Sequence, residues 1–195
     1  MKPLTLRVIQ DEHQALAAML RSIPLLLAEH RRQQTLPDFA ALRAMLFYVD
    51  EFPERLHHPK ESQLLFPVLR ARAPECREVL DQLDQDHARG ERAIRELEHS
   101  LLAFEMMGEP RREAFEALAQ RYVQAYLQHM AIEEREILPL AQKVLQPADW
   151  YDLDEAFAAN RDPLAGHAAD ETYRAVLDRI LNALPAPLGY GPALD

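Results

Sequence analysis

The sequence predicts an all-α fold, an antiparallel up-and-down four-helix bundle, on three observations. Apolar residues recur every three or four positions over most of the 195 residues. Glycine occurs only five times, and prolines collect at the ends of the periodic stretches. The breaks between stretches are short, which makes neighbouring helices antiparallel. With 48% hydrophobic and 28% charged residues, the chain has the balance of an ordinary globular domain with a substantial core.

The first helix carries the seam Leu6, Ile9, His13, Leu16, Leu20, Ile23 and Leu27. A second starts near Pro37-Asp38 and runs through Phe39, Leu42, Leu46 and Val49 to His57, Glu61, Leu64 and Val68. The third alternates in the same way through Leu80, Leu83, His87, Gly90, Ile94, Leu97, Leu101 and Phe104. After Gly108-Glu109-Pro110, the fourth carries Leu118, Tyr122, Tyr126, His129, Glu133, Ile137 and Leu140.

Each seam is interrupted where burial penalises polarity. His13, His57 with Glu61, His87, and His129 with Glu133 occupy apolar positions, and an ionised carboxylate there is costly unless paired or metal-bound. The unit His57-x-x-x-Glu61-x5-Pro67 recurs 72 residues later as His129-x-x-x-Glu133-x5-Pro139. Ahead of each copy stands a histidine preceded by an acid, Glu12-His13 and Asp86-His87. Residues four apart share a helix face, so an imidazole and a carboxylate at this spacing converge on one ion. The bare tetrad is common by chance, and His87 with Glu91 and His167 with Glu171 also form it, but without the proline. The extended, duplicated pattern points to a two-metal centre. His13 and His87 lie at similar depth in helices one and three, and His57 and His129 lie late in two and four. Antiparallel packing then brings all four to one layer.

Composition excludes several partners. The net charge of −10 argues against nucleic acid, and no basic stripe suits a membrane surface. Cys76 is the only cysteine, which rules out an intramolecular disulfide and a thiolate cluster. No apolar stretch has the length of a signal peptide or a membrane span, so the cytoplasm is the default expectation.

Asp11-Glu12-His13, His57-His58-Pro59-Lys60-Glu61 with Leu65-Phe66-Pro67, Asp86-His87, and His129-x-x-x-Glu133-Glu134 with Ile137-Leu138-Pro139 together resemble the hemerythrin-like proteins, the HHE cation-binding domain. The resemblance covers roughly residues 4 to 145. It implies a non-haem di-iron centre within the bundle, with His13, His57, His87 and His129 as terminal ligands. Glu61 and Glu133 would bridge the irons, together with an oxide or hydroxide. For the family's fifth histidine the best candidate is His58, which the kink at Pro59 either turns inward or leaves at the surface. The end of the chain looks like an extension of some bacterial stand-alone members. The expected division is a bundle over residues 1–146 and an extension over 147–195, with one additional helix and a tail packed on the bundle.

Two octahedral irons offer about twelve positions, and five histidines, two bridging glutamates and one bridging oxygen fill all but about one. An open ferrous position in an apolar bundle is where a small diatomic binds. Ferritin-like sites use more carboxylates in the opposite order, Glu-x-x-His, so this nitrogen-rich set favours the ferrous state by comparison. The favoured reading is a module that binds O2 or another small oxidant for transport, storage or sensing. The alternatives are a di-iron enzyme acting on peroxide, ferrous iron or nitric oxide, and a simple metal-binding protein holding zinc or manganese. A homodimer is among the oligomeric states the sequence permits.

The remaining polar residues have plainer readings. Glu91 pairs with Arg95 on the surface, His30 suits the end of the first helix, and His99 and His167 are structural or solvent-facing. Tyr122, Tyr126, Met106 and Met107 fit core packing, with Tyr126 one turn before His129. Gly90 either makes room beside the metals or is a tolerated helix glycine. Glu12, Asp86 and Glu134 are candidates to orient the histidine rings, against the alternative of solvated charge.

Overall fold

Every predicted seam is helical in the computed structural model, which describes residues 2–185 and 189–191. Six continuous helices follow one another: α1 (Leu4–Arg32), α2 (39–72), α3 (Arg77–Met107), α4 (112–144), α5 (Pro147–Ala158) and α6 (Glu171–Ala183). Asp38 starts α2 by accepting the Ala40 and Ala41 N–H groups at 2.9 and 3.0 Å. Among the described residues there is no strand, and no helix is long and apolar enough to cross a membrane.

Contacts along neighbouring helices run in opposite order. Between α1 and α4, His13 lies beside Glu134 and Arg31 beside Glu116. Between α2 and α3, Arg43 pairs with Glu105, Ser62 with Asp84 and Arg70 with Asp81. Between α3 and α4, Phe104 packs on Phe115 and His87 on His129.

These pairings place two apolar clusters on either side of a polar layer. One holds Leu20, Ile23, Met45, Leu46, Leu97 and Phe104 with their neighbours. The other holds Leu6, Ile9, Phe66, Leu69, Leu83 and Ile137. His13, His57, Glu61, His87, His129 and Glu133 fall between them in every helix.

The repeated proline has a structural consequence. Both copies of the motif widen into a π-helix just after the glutamate, over Glu61–Leu65 and Glu133–Ile137. Phe66 N–H bonds to the Glu61 carbonyl and Leu138 N–H to the Glu133 carbonyl, five residues back. Proline directly follows in both copies, and a ring that clashes with the carbonyl four residues back disfavours the tighter turn. The extra residue corrects the expected seams. Leu64 is 39% exposed and Val68 half-buried, while Leu65 and Leu69 take the core positions; in α4, Ala141 replaces Leu140. Met106 and Met107 are also exposed, because they lie past Phe104 in the last turn of α3.

Beyond α4 the chain forms two helices rather than the one expected. The break between them contains Pro163, which disfavours helix before it, and two residues at positive φ, Arg161 and Gly166. α5 packs on α1 through Leu153 and Phe157, and the Thr5 N–H and hydroxyl both donate to Asp154 at 2.7 Å. α6 packs on α2 through Ile180 and through Tyr173, whose ring meets Phe52 at 5.1 Å. The connecting loop is pinned where the Tyr48 hydroxyl donates to the buried Asp162 carboxylate. Residues 186–188 and 192–195 of the expected tail lie outside the described residues.

Two outcomes follow. Phe104→Ala removes a fully buried ring that touches Phe39 and Phe115 and should cost about 3–5 kcal/mol in urea unfolding, against about 0.5 or less for the exposed Leu102→Ala. Burial pushes the Asp162 carboxyl from 3.8 up to about 6, despite the bonds from Tyr48 and Leu164. The folded chain therefore binds this proton more tightly than the unfolded one, and the group's contribution to stability falls as pH rises from about 4 to about 6. Relative to wild type, Asp162→Asn should gain up to about 3 kcal/mol between pH 4 and pH 7; an unchanged difference contradicts the assignment.

Candidate metal centre

The i, i+4 spacing works as geometry. His57 Nε2 lies 3.2 Å from Glu61 Oε1 on α2, and His129 Nε2 lies 3.3 Å from Glu133 Oε1 on α4. His13 from α1 and His87 from α3 enter the same layer, and His58, which follows a π-helical stretch over Asp50–His57, is turned inward rather than left at the surface. All seven residues are at most 8% exposed.

Their donor atoms fall into three overlapping sets: His58, His87 and His129; Glu61, His87, His129 and Glu133; and His13, His57 and Glu61. Within each set one donor atom per residue lies within 4.8 Å of the others. Ligands about 2.1 Å from a common ion and at right angles lie about 3 Å from one another, so this crowding matches a cation's donor shell. Each carboxylate also faces both ways. Glu61 turns Oε1 to His57 and Oε2 to His87, the latter at 3.5 Å. Glu133 turns Oε2 to His13 at 3.4 Å and Oε1 to His129.

All four of these oxygens are buried without a hydrogen-bond donor. Leaving charged oxygens so placed is costly unless positive charge compensates. The imidazoles supply some of it. Burial alone depresses His57, but Glu61 and Glu12 outweigh it and hold the ring well above its usual pKa. For His129 burial acts the same way, and Glu133 reverses it. Glu133 stays well below the usual carboxylate range because His129, His87 and His13 outweigh its burial. His87 Nε2 and His129 Nε2 converge to 3.0 Å, two like atoms aimed at one point. The donor set fits a cation.

The outer nitrogens of His57, His58 and His87 have hydrogen-bond partners, whereas those of His13 and His129 have only acidic neighbours beyond hydrogen-bond geometry. Glu12 lies 2.6 Å from His57 Nδ1, so it serves a histidine on another helix rather than its neighbour His13. Glu134 lies 3.4 Å from His13 Nδ1, and Asp86 stands 3.8 Å from His129 Nδ1, too far for a hydrogen bond. Ser62 meets His87 Nδ1 at 2.8 Å and donates to Asp84 at 2.6 Å. Partners of this kind fix ring orientation and tautomer. His58 is the odd member: its ring stacks on His87 at 4.0 Å, and its Nε2 lies 2.9 Å from the Tyr126 hydroxyl. Glu91 pairs with Arg95 at the surface, His30 contacts Thr35, and His99 and His167 are exposed.

A family model, the hemerythrin HHE cation-binding domain, matches residues 4–141, which include all seven residues. No curated protein and no solved structure matches the chain.

Sequence reasoning missed Glu54. It lies one turn before His58, a Glu-x-x-x-His spacing that mirrors the motif and was open to the same argument. Its carboxyl stands 3.2 Å from His58 Nδ1 and accepts the Tyr122 hydroxyl at 3.3 Å. Burial pushes it up to about 8. Gly90 makes the room: a Cβ there would lie 2.8 Å from Glu54 Oε1. Replacing a helix glycine by alanine normally stabilises by about 1 kcal/mol. Gly90→Ala should lose that gain in the wild type and recover it in a Glu54→Ala background. A double-mutant cycle by urea unfolding reads the coupling, and strict additivity refutes the contact.

Proposed function

This chain belongs to the hemerythrin HHE cation-binding family, and from that premise we propose that it is a di-iron protein that binds O2 or another small oxidant. The observation that carries the two-ion reading is the orientation of Glu61 and Glu133. Each turns one oxygen toward the His13 and His57 side and the other toward the His87 and His129 side. In this proposal His58, His87 and His129 would hold one iron, His13 and His57 would hold the other, and Glu61 and Glu133 would be shared between them. α1 to α4 act as an antiparallel four-helix bundle spanning residues 1–146, and 147–195 form an extension upon it.

The side with two histidines has fewer protein donors, and a cavity of about 10 Å³ adjoins it. That is room for about one water-sized molecule. Leu16, Phe52 and Leu56 form the apolar part of its wall, beside His13, His57 and His58, and its size suits a ligand no larger than a diatomic. Iron, if held there by His13 and His57, would supply reversible electron transfer to such a ligand. The chain's part is to orient His57, His58 and His87 through their outer nitrogens and to keep the pair within the core. A second reading, a di-iron enzyme, is favoured by a larger cavity of about 520 Å³ between α3 and α4, which reaches His87, His129 and Tyr126 and has space for a reductant.

Protein purified without air should carry two irons per chain and develop a charge-transfer band under O2 that fades on its removal. Irreversible oxidation with peroxide turnover favours the enzyme, and stoichiometric zinc or manganese without iron overturns both readings. His87→Ala and Glu133→Ala should lower iron affinity more than about a hundredfold, and Glu12→Gln about 10- to 100-fold. Undiminished iron in all three variants contradicts the ligand set.

A further inference from the structure

The family match ends at residue 141, yet the wall of the small cavity does not. Asn160 and Asp162, from the loop between α5 and α6, line it together with Glu12, His13, Leu16 and His57. They are 6% and 4% exposed. Asn160 Nδ2 donates to Glu12 Oε2 at 2.9 Å, the same oxygen that lies 2.6 Å from His57 Nδ1. Asn160 Oδ1 accepts from Lys60 Nζ, so both ends of the amide are engaged. Phe157, at the end of α5, meets the His57 ring edge-on at 6.0 Å. The loop is thus tied to α1 through Glu12 and to α2 through Lys60 and Tyr48.

We propose that Asn160 and Asp162 are specificity-determining residues: Asn160 positions the Glu12–His57 pair, and the two side chains together restrict entry on the His13 and His57 side to neutral diatomics. The argument has two parts. The cavity holds about one water-sized molecule, and the Asn160 amide is part of its wall, so truncating that side chain enlarges it. The Glu12 and Asp162 carboxylates in the same wall disfavour anions. The proposal rests on reading this side as the ligand-binding one, and its test separates the two ideas.

In iron-loaded full-length protein, association rates are measured for nitric oxide, a neutral diatomic, and for azide, a linear anion. Asn160→Ala and Asp162→Asn should each raise the azide to nitric oxide rate ratio at least about tenfold under saturating iron. Metal-free protein provides a second arm. A cysteine introduced as Leu16→Cys should react with methyl methanethiosulfonate at least about fivefold faster when Asn160→Ala is added, with the native Cys76 as internal reference in peptide mass analysis. In the same metal-free state, the His57 Nδ1–H proton resonance should shift in Asn160→Ala. Unchanged rate ratios together with unchanged thiol reactivity overturn the gate, and an unmoved His57 resonance overturns the positioning role. If the wild type binds neither probe, the proposed function fails, and the thiol and resonance measurements still decide the role of the loop.

Discussion

Two carboxylates with no exposed surface and no hydrogen-bond donor, Glu61 and Glu133, stand at the middle of the core, and the rest of the molecule is arranged around that cost. Charged oxygens taken out of water need positive charge within a few ångströms. His57 on α2 and His129 on α4, both held above their usual pKa, provide part of it, and the rings of the layer are flanked on their outer sides by Glu12, Ser62, Glu54 and Glu134. Metal binding of such a set displaces protons from the rings, so ion affinity and fold stability are coupled. The polar layer divides the core in two, and the apolar clusters on either side keep the four helices in register when like charges crowd the centre.

Register in turn depends on the backbone. A proline six residues after each motif glutamate coincides with a π-turn that starts at that glutamate. Widening by one residue rotates everything beyond it, which is why the core switches from Leu64 and Val68 to Leu65 and Leu69. The motif is therefore a unit of backbone geometry as much as of ligand chemistry. His and Glu face the centre on one side of the turn, and on the other Leu65 and Phe66, or Ile137 and Leu138, join the apolar cluster of Leu6 and Ile9.

The helices beyond the matched region add more than stability. α5 and α6 bury Leu153, Phe157 and Ile180 against α1 and α2, and the loop between them returns to the layer of histidines. An amide from that loop and an imidazole from α2 share a single carboxylate oxygen of α1, which ties the loop between α5 and α6 to the layer of histidines.

By itself the sequence determined the helical class, the four seams as far as the π-turns, and the polar residues on them. Periodicity and i, i+4 spacing are local properties, and a duplicated His-x-x-x-Glu with its proline survives as pattern whatever the helices pack against. The inward turn of His58, the pairing of Glu12 with His57 rather than with His13, and the approach of Glu54 under Gly90 were decided by tertiary structure. So were the second helix of the extension and the return of Asn160 to a site about 150 residues away in sequence, marked by no motif. Which carboxylate meets which ring depends on helix rotation and distance between segments remote in the chain, and those follow from packing the whole core at once.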